Sequence, residues 1–167
     1  PIAHQTTFAP YRVDPSDVAE VAVDGLRGFR DMCLYVHVPF CETRCSFCEY
    51  TVVGRGELDQ TARYFDALLR ELAAYDEAIG LGERLLHGLD IGGGTPSFPP
   101  AAEIERVLDA VRSRCVFAPG SDISIETTPR IAADHPDRIA AYRRMGIDRI
   151  SMGIQVIQPD LLRVLNR

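Results

Sequence analysis

Short apolar segments alternate with amphipathic ones along most of this 167-residue chain. Four of the apolar segments are bounded by turn residues, which predicts strands: CLYVHVPF, LLHGLDI, SDISIET and DRISMGIQ. Strands that alternate with helices predict parallel βαβ units with right-handed crossovers. The sequence therefore predicts an α/β fold in the order β-α-β-α-β-α-β-α, with too few units to close a barrel.

Apolar residues recur every three or four positions in the segments after these strands, which indicates helices packed against a sheet. The clearest helix lies in ELDQTARYFDALLRELAAYDEAI, and a second lies in AAEIERVLDAVRSR. A third helix is predicted from a cap at Asp134 to Gly146, and a fourth from Pro159 onward. A weaker amphipathic segment runs from Ser16 to Leu26, ahead of the first strand.

Chemically distinctive residues follow or end each predicted strand. Three cysteines follow the first strand, GGGTPS follows the second, Glu126 ends the third and Gln155 ends the fourth. The carboxyl ends of parallel strands meet at one edge of a sheet, where α/β proteins place their active sites. We therefore expect these residues to surround a single site.

Cys41, Cys45 and Cys48 stand in the pattern Cys-x3-Cys-x2-Cys. Structural zinc takes four ligands in a closed tetrahedron, whereas an iron–sulfur cubane binds one thiolate per iron. Three thiolates in one loop suit the cubane and leave its fourth iron open to a small ligand. A zinc site completed by a distant histidine or cysteine, with His37 as the obvious candidate, is the alternative.

The other two cysteines, Cys33 and Cys115, have apolar neighbours and are predicted to be buried core thiols. Five cysteines with three clustered make a poor disulfide framework, so we expect a reducing compartment, the cytoplasm. The net charge of −6 argues against a nucleic-acid partner. No apolar stretch is long enough to span a membrane, and no signal peptide is recognisable. The first residue is Pro1 and the last helix has no cap, so we expect a segment of a longer protein.

The motifs YVHVPFCETRCSFC, GGGTPS, IETTPR and GIDRISMGIQ together resemble radical S-adenosylmethionine (SAM) enzymes. The resemblance is strongest to the branch of oxygen-independent coproporphyrinogen oxidase, its heme-chaperone relatives and the class C radical SAM methyltransferases. It implies a partial TIM-like (β/α)6 barrel, of which about four βα units are present. Residues 1–32 would be an N-terminal arm, and residues 33–167 the first part of the barrel.

The resemblance also implies the cofactors and the partners. Cys41, Cys45 and Cys48 would hold a [4Fe-4S] cluster whose open iron binds SAM. One electron would then cleave SAM to methionine and a 5′-deoxyadenosyl radical. The partners would be a small-molecule substrate and a reductant such as flavodoxin or ferredoxin, with neither a nucleic acid nor a membrane.

Nine further residues match positions that contact SAM in this family. Gly92, Gly93 and Gly94 let the backbone approach the ligand closely, and Glu126 carries a carboxylate for the SAM amino group or ribose. The resemblance implies a second SAM at Gln155 and Arg167. The full set is Tyr35, Phe47, Gly92, Gly93, Gly94, Thr95, Glu126, Gln155 and Arg167.

One position departs from the coproporphyrinogen oxidase pattern, which has another cysteine two residues after the third. This chain has Tyr50 there. The departure favours a class C-type methyl transfer or cyclopropanation on an unsaturated carbon with two SAM molecules. Oxidative decarboxylation of a porphyrinogen, heme chaperoning without turnover, and a zinc-stabilised βα module are the alternatives.

Overall fold

The computed structural model describes residues 15–54 and 59–167. Four strands form its sheet: β1 (Asp31–Val38), β2 (Leu85–Gly93), β3 (Val116–Thr127) and β4 (Arg149–Met152). The helices are α1 (Pro15–Arg27), α2 (Thr61–Ile79), α3 (Ala101–Arg112), α4 (Pro129–Asp134), α5 (Pro136–Arg144) and α6 (Pro159–Val164), and a 3-10 turn spans Leu81–Glu83.

The sheet has the order β1-β2-β3-β4, and every pair of neighbours is parallel. Each strand therefore pairs with the next one along the chain, as in the wall of an α/β barrel. The predicted fold class, a partial barrel of about four βα units, is confirmed. None of the helices in the described residues is long and apolar enough to cross a membrane.

Several boundaries differ from the prediction. The third helix begins at Pro136 after His135, not at a cap on Asp134, because that aspartate ends a separate helix, α4. The cap of α4 is Thr128, whose side chain accepts a hydrogen bond from the Ile131 N–H at 3.2 Å. The sequence did not predict this short helix, because Pro136 interrupts the regular three- to four-residue spacing of apolar side chains.

Two strands also have unexpected lengths. β3 begins at Val116, before SDISIET, because Val116 and Phe117 pair with Leu85 and Leu86. β4 ends at Met152, so the prediction that Gln155 ends this strand is wrong. Gln155 lies in the following loop with a φ of 63°, a left-handed conformation that is incompatible with a strand.

The weak amphipathic segment before the first strand is helical, as α1. Residues 1–14 and positions 57–58, the expected start of the helix in ELDQTARYFDALLRELAAYDEAI, lie outside the described residues. The division at residue 32 between an arm and the barrel stays a prediction.

The two faces of the sheet differ in polarity because side chains alternate along each strand. The outer face carries Val36, Val38, Leu89, Ile91 and Ile125, which pack with the helices as the core. The other face carries polar side chains, among them Tyr35, His37, Asp90, Glu126 and Arg149. Cys33 is exposed on the same side of β1 as Tyr35, so its predicted burial is wrong, whereas Cys115 is half-buried against the core.

Candidate active site

The three cysteines lie on the loop that follows β1, and a β-bridge joins the two ends of this loop. Phe40 pairs with Val53, and the Cys41 N–H donates to the Val53 carbonyl at 2.9 Å. The Val53 N–H donates to the Pro39 carbonyl at 2.8 Å. These bonds hold the base of the loop at the carboxyl end of the sheet.

The cysteine side chains differ in exposure. Cys41 is buried, and its Sγ lies 3.6 Å from the Thr95 hydroxyl oxygen. Cys45 and Cys48 are half-buried on a turn that the Cys48 N–H and the Cys45 carbonyl close at 3.1 Å. Burial raises the pKa of the Cys41 thiol, as do Cys48 and Cys45 nearby, while the Thr95 contact lowers it. Cys45 and Cys48 thus lie close enough to Cys41 to affect the ionisation of its thiol.

The glycine run at the end of β2 packs directly against this loop. A Cβ on Gly94 would lie 2.7 Å from the Pro39 carbonyl oxygen and 2.9 Å from the Cys41 Sγ. Gly93 has a φ of 120°, which side chains rarely adopt. The Gly94 N–H donates to the Val38 carbonyl, and the Thr95 N–H to the Phe40 carbonyl. Glycine at these two positions lets the strand end touch the cysteine loop.

A carboxylate and a phenol stand beside the glycines. Glu126, at the end of β3, accepts a hydrogen bond from the Gly93 N–H at 3.2 Å. Tyr35 lies over Gly92, where an added Cβ would be 2.9 Å from the Tyr35 ring. Burial raises the pKa of Tyr35, and the Glu126 charge raises it further. Tyr35 is therefore a neutral hydroxyl, and it lies 3.5 Å from the His37 Nδ1.

Most of the predicted residues converge on one cavity of about 340 Å³ at the carboxyl ends of the strands. Nine of them line it: Cys45, Phe47, Cys48, Gly93, Gly94, Thr95, Glu126, Gln155 and Arg167. Tyr50 lines the same cavity. Cys41, Tyr35 and Gly92 are not among the lining residues. Cys41 contacts Thr95, Gly92 lies beside Glu126, and Tyr35 lies over Gly92.

Gln155 and Arg167 meet across Gly153. A Cβ on Gly153 would lie 2.9 Å from the Gln155 Nε2 and 3.0 Å from an Arg167 guanidinium nitrogen. That guanidinium also donates to the Gly153 carbonyl at 2.6 Å. The predicted pair is therefore together on one wall of the cavity, although Gln155 reaches it from a loop.

A second cavity of about 370 Å³ adjoins the first and shares Thr95, Thr128, Gly153 and Arg167 with it. The rest of its wall is mostly apolar and includes Ile131, Ile154, Val156, Ile157 and Leu162. This space widens the site on the side of α4 and α6.

The residues that support the glycine run were not predicted. Arg138 of α5 donates to the carbonyls of Ser97 and Phe98 at 2.8 and 3.0 Å. The buried Ser97 hydroxyl donates to the Thr127 hydroxyl at 2.7 Å. No motif identifies Arg138, because it lies about 40 positions from its acceptors and on a predicted surface helix.

The three thiols suit a cluster better than one ion. No three His, Cys, Asp or Glu side chains within residues 15–54 and 59–167 are placed to hold a single metal ion. A cubane makes a different demand, since each thiolate binds its own iron. Three neighbouring thiols beside a cavity with a backbone wall, a carboxylate and an arginine fit a cluster and its amino-acid ligand.

The cysteine loop faces the glycine-rich end of β2, and this arrangement is specific enough to point to a protein family. The model of the radical SAM superfamily matches residues 35–167, and the chain belongs to this superfamily.

The relatives specify the branch. The chain is 35% identical over 136 residues to heme chaperone HemW of Mycobacterium tuberculosis (strain ATCC 25618 / H37Rv), covering 80% of this chain and 34% of that protein. It is 34% identical over 139 residues to oxygen-independent coproporphyrinogen III oxidase of Escherichia coli (strain K12), covering 83% and 29%. It is similar in structure to coproporphyrinogen III oxidase (HemN) from Escherichia coli, with a TM-score of 0.75 and 32% identity, covering 90% of this chain and 34% of that one.

The chain spans about a third of the length of these relatives. They belong to the oxidase and chaperone branch that the motifs indicated. They favour the tetrapyrrole alternatives over the methyl transfer that the Tyr50 departure had favoured.

Proposed function

We propose that this chain is the cluster- and SAM-binding part of a radical SAM protein. The convergence of Cys45, Cys48, Glu126 and Arg167 on one cavity, with Cys41 directly behind Thr95, is the observation that carries the proposal. Cys41, Cys45 and Cys48 would be the cluster ligands, and the strand ends would bind SAM.

When bound, a [4Fe-4S] cluster and SAM would supply a one-electron reductive cleavage that yields a 5′-deoxyadenosyl radical. The backbone of Gly93 and Gly94 forms a wall without side chains, so a ligand can approach it closely. Glu126, fixed by the Gly93 N–H, offers its other carboxylate oxygen to an ammonium or a hydroxyl. Phe47 offers a half-exposed ring on which an adenine could stack.

The side chains of Gln155 and Arg167 both suit a ligand that carries a carboxylate. Arg167 can bind a carboxylate bidentately, and Gln155 offers an amide beside it. A second SAM at this pair remains part of the proposal. A small-molecule substrate and a flavodoxin- or ferredoxin-type reductant complete it.

We propose further that the whole protein acts on or carries a tetrapyrrole. The similarity to heme chaperones and coproporphyrinogen oxidases supports this choice. Tyr50 lines the cavity where an oxidase-type chain would have a further cysteine, and this favours heme carriage over decarboxylation. A residue other than cysteine at position 50 and the Gln155–Arg167 pair also fit methyl transfer with two SAM molecules, so that activity is the second candidate.

The cluster assignment is tested by anaerobic reconstitution of the full-length protein. We expect about four iron and four sulfide per chain, and a strong loss with Cys41→Ala, Cys45→Ala or Cys48→Ala, because each variant lacks one iron ligand. Cys33→Ala is the matched control and should bind iron like the wild type, since its thiol lies on β1, outside the cysteine loop. Loss of iron in Cys33→Ala together with retention in Cys45→Ala would show that the ligands are wrongly assigned.

The tetrapyrrole assignment is tested with the reconstituted protein. We expect stoichiometric heme binding, seen as a Soret shift on titration, and no release of carbon dioxide from coproporphyrinogen. Carbon dioxide release would replace carriage with decarboxylation. Formation of S-adenosylhomocysteine without heme binding would overturn the tetrapyrrole assignment in favour of methyl transfer.

A further inference from the structure

The middle of the cysteine loop is bonded to the end of α6. The Ser46 N–H donates to the Leu165 carbonyl at 3.1 Å, and the Ser46 hydroxyl donates to the Val164 carbonyl at 3.1 Å. The Asn166 side-chain amide donates to the Arg44 carbonyl at 2.7 Å. Three hydrogen bonds thus join segments about 120 residues apart in sequence. We call these three bonds the latch.

The free carbonyl groups at the end of α6 explain why the latch forms there. The last carbonyls of a helix have no partners within the helix, so those of Val164 and Leu165 are available to Ser46. Asn166 follows the helix with a φ of 55°, the left-handed conformation that asparagine tolerates at this position. This conformation lets its amide reach the Arg44 carbonyl while Arg167 continues towards Gly153.

The latch acts on the part of the loop that carries Cys45. The β-bridge at Phe40 and Val53 holds the base of the loop. Arg44 and Ser46 flank Cys45, so the latch holds this cysteine from both sides.

We propose that Asn166 and Ser46 are positioning residues that hold Cys45 in place for cluster binding and couple the loop to Arg167. The inference rests on the proposed function, but the latch is a property of the protein without its cluster. Loss of the latch should therefore be visible before any iron is added.

Substitutions at Asn166 must preserve its backbone conformation. Asn166→Asp keeps the size and the tolerance for positive φ, but a carboxylate cannot donate to the Arg44 carbonyl. Asn166→Gly keeps the conformation and removes the side chain. Ser46→Ala removes one bond from the opposite side. Gln158→Glu is the control, because it makes the same charge change as Asn166→Asp at the other end of α6, where its side chain makes no capping hydrogen bond.

The readout is hydrogen exchange of residues 44–48 in the full-length, cluster-free protein. We expect Asn166→Asp, Asn166→Gly and Ser46→Ala each to speed exchange of the Ser46 amide by about two- to ten-fold. Exchange in β2 and β3 should stay unchanged. Gln158→Glu should match the wild type throughout.

After reconstitution, the same variants should lose iron to a chelator faster than Gln158→Glu, and their reduced clusters should give altered electron paramagnetic resonance spectra. Wild-type exchange and wild-type iron release in all three variants would overturn the proposal. So would faster exchange with unchanged spectra and iron release, which is what a merely structural contact predicts. A wild-type protein that binds no iron would instead refute the proposed function, while the exchange result on the latch would still stand.

Discussion

At the scale of single residues, Tyr142 places a phenol hydroxyl inside the apolar core. Its side chain is fully buried, and its hydroxyl has no hydrogen-bond partner among the residues that the structure describes. Burial raises the pKa of Tyr142 to about 12, and Arg138 opposes the shift in part. The neutral phenol is therefore favoured in the folded state. Its contribution to stability is present below pH 10.0, the ordinary pKa of tyrosine, and declines as the pH rises towards about 12.

We predict that Tyr142→Phe changes the free energy of unfolding by less than about 1 kcal/mol, because no hydrogen bond is lost. Tyr142→Ala should lower it by about 3–5 kcal/mol through the cavity that it leaves. Urea denaturation measures both changes. Tyr64→Phe is the contrasting variant, since the Tyr64 hydroxyl donates to the His37 carbonyl at 2.6 Å. A large loss in Tyr142→Phe would mean that the Tyr142 hydroxyl has a partner.

At the scale of elements, α5 matters more for the site than its position suggests. Arg138 projects from its first turns to the carbonyls of Ser97 and Phe98, just after the glycine run. Because these carbonyls follow Thr95, α5 holds the loop that carries the cavity wall. The helix thus links the outer layer of the fold to the predicted SAM site.

We predict that Arg138→Met lowers the free energy of unfolding by about 1.5–3 kcal/mol, because two carbonyls lose a charged donor. SAM binding should weaken as well, since the loop after Gly94 loses its support. Urea denaturation and SAM titration of the reconstituted protein measure these effects. Arg143→Met, on the last turn of the same helix, is the matched control and should change stability by less than about 0.5 kcal/mol. Equal behaviour of the two variants would contradict the role of Arg138.

At the scale of the whole molecule, the two faces of the sheet have different roles. Its outer face packs the apolar core, while its other face joins three strands through Arg149, which contacts Asp90 at 2.8 Å and Asp122 at 2.8 Å. These charges are about half-exposed, so each pair contributes only about 0–1 kcal/mol. The network therefore adds little stability. The stabilising core lies on the outer face of the sheet, apart from the polar face and the cavity at the strand ends.

The α/β order, the cysteine loop and the placement of the motifs after their strands could be predicted from the sequence alone. Local signals suffice for these features, because alternation of apolar residues and short motifs report their own segments. The sequence did not reveal that Gln155 lies beyond β4, that Cys33 is exposed, or that Asn166 bonds to the cysteine loop. These features emerge only in the folded chain, because each depends on strand register or on contacts between residues far apart in the chain.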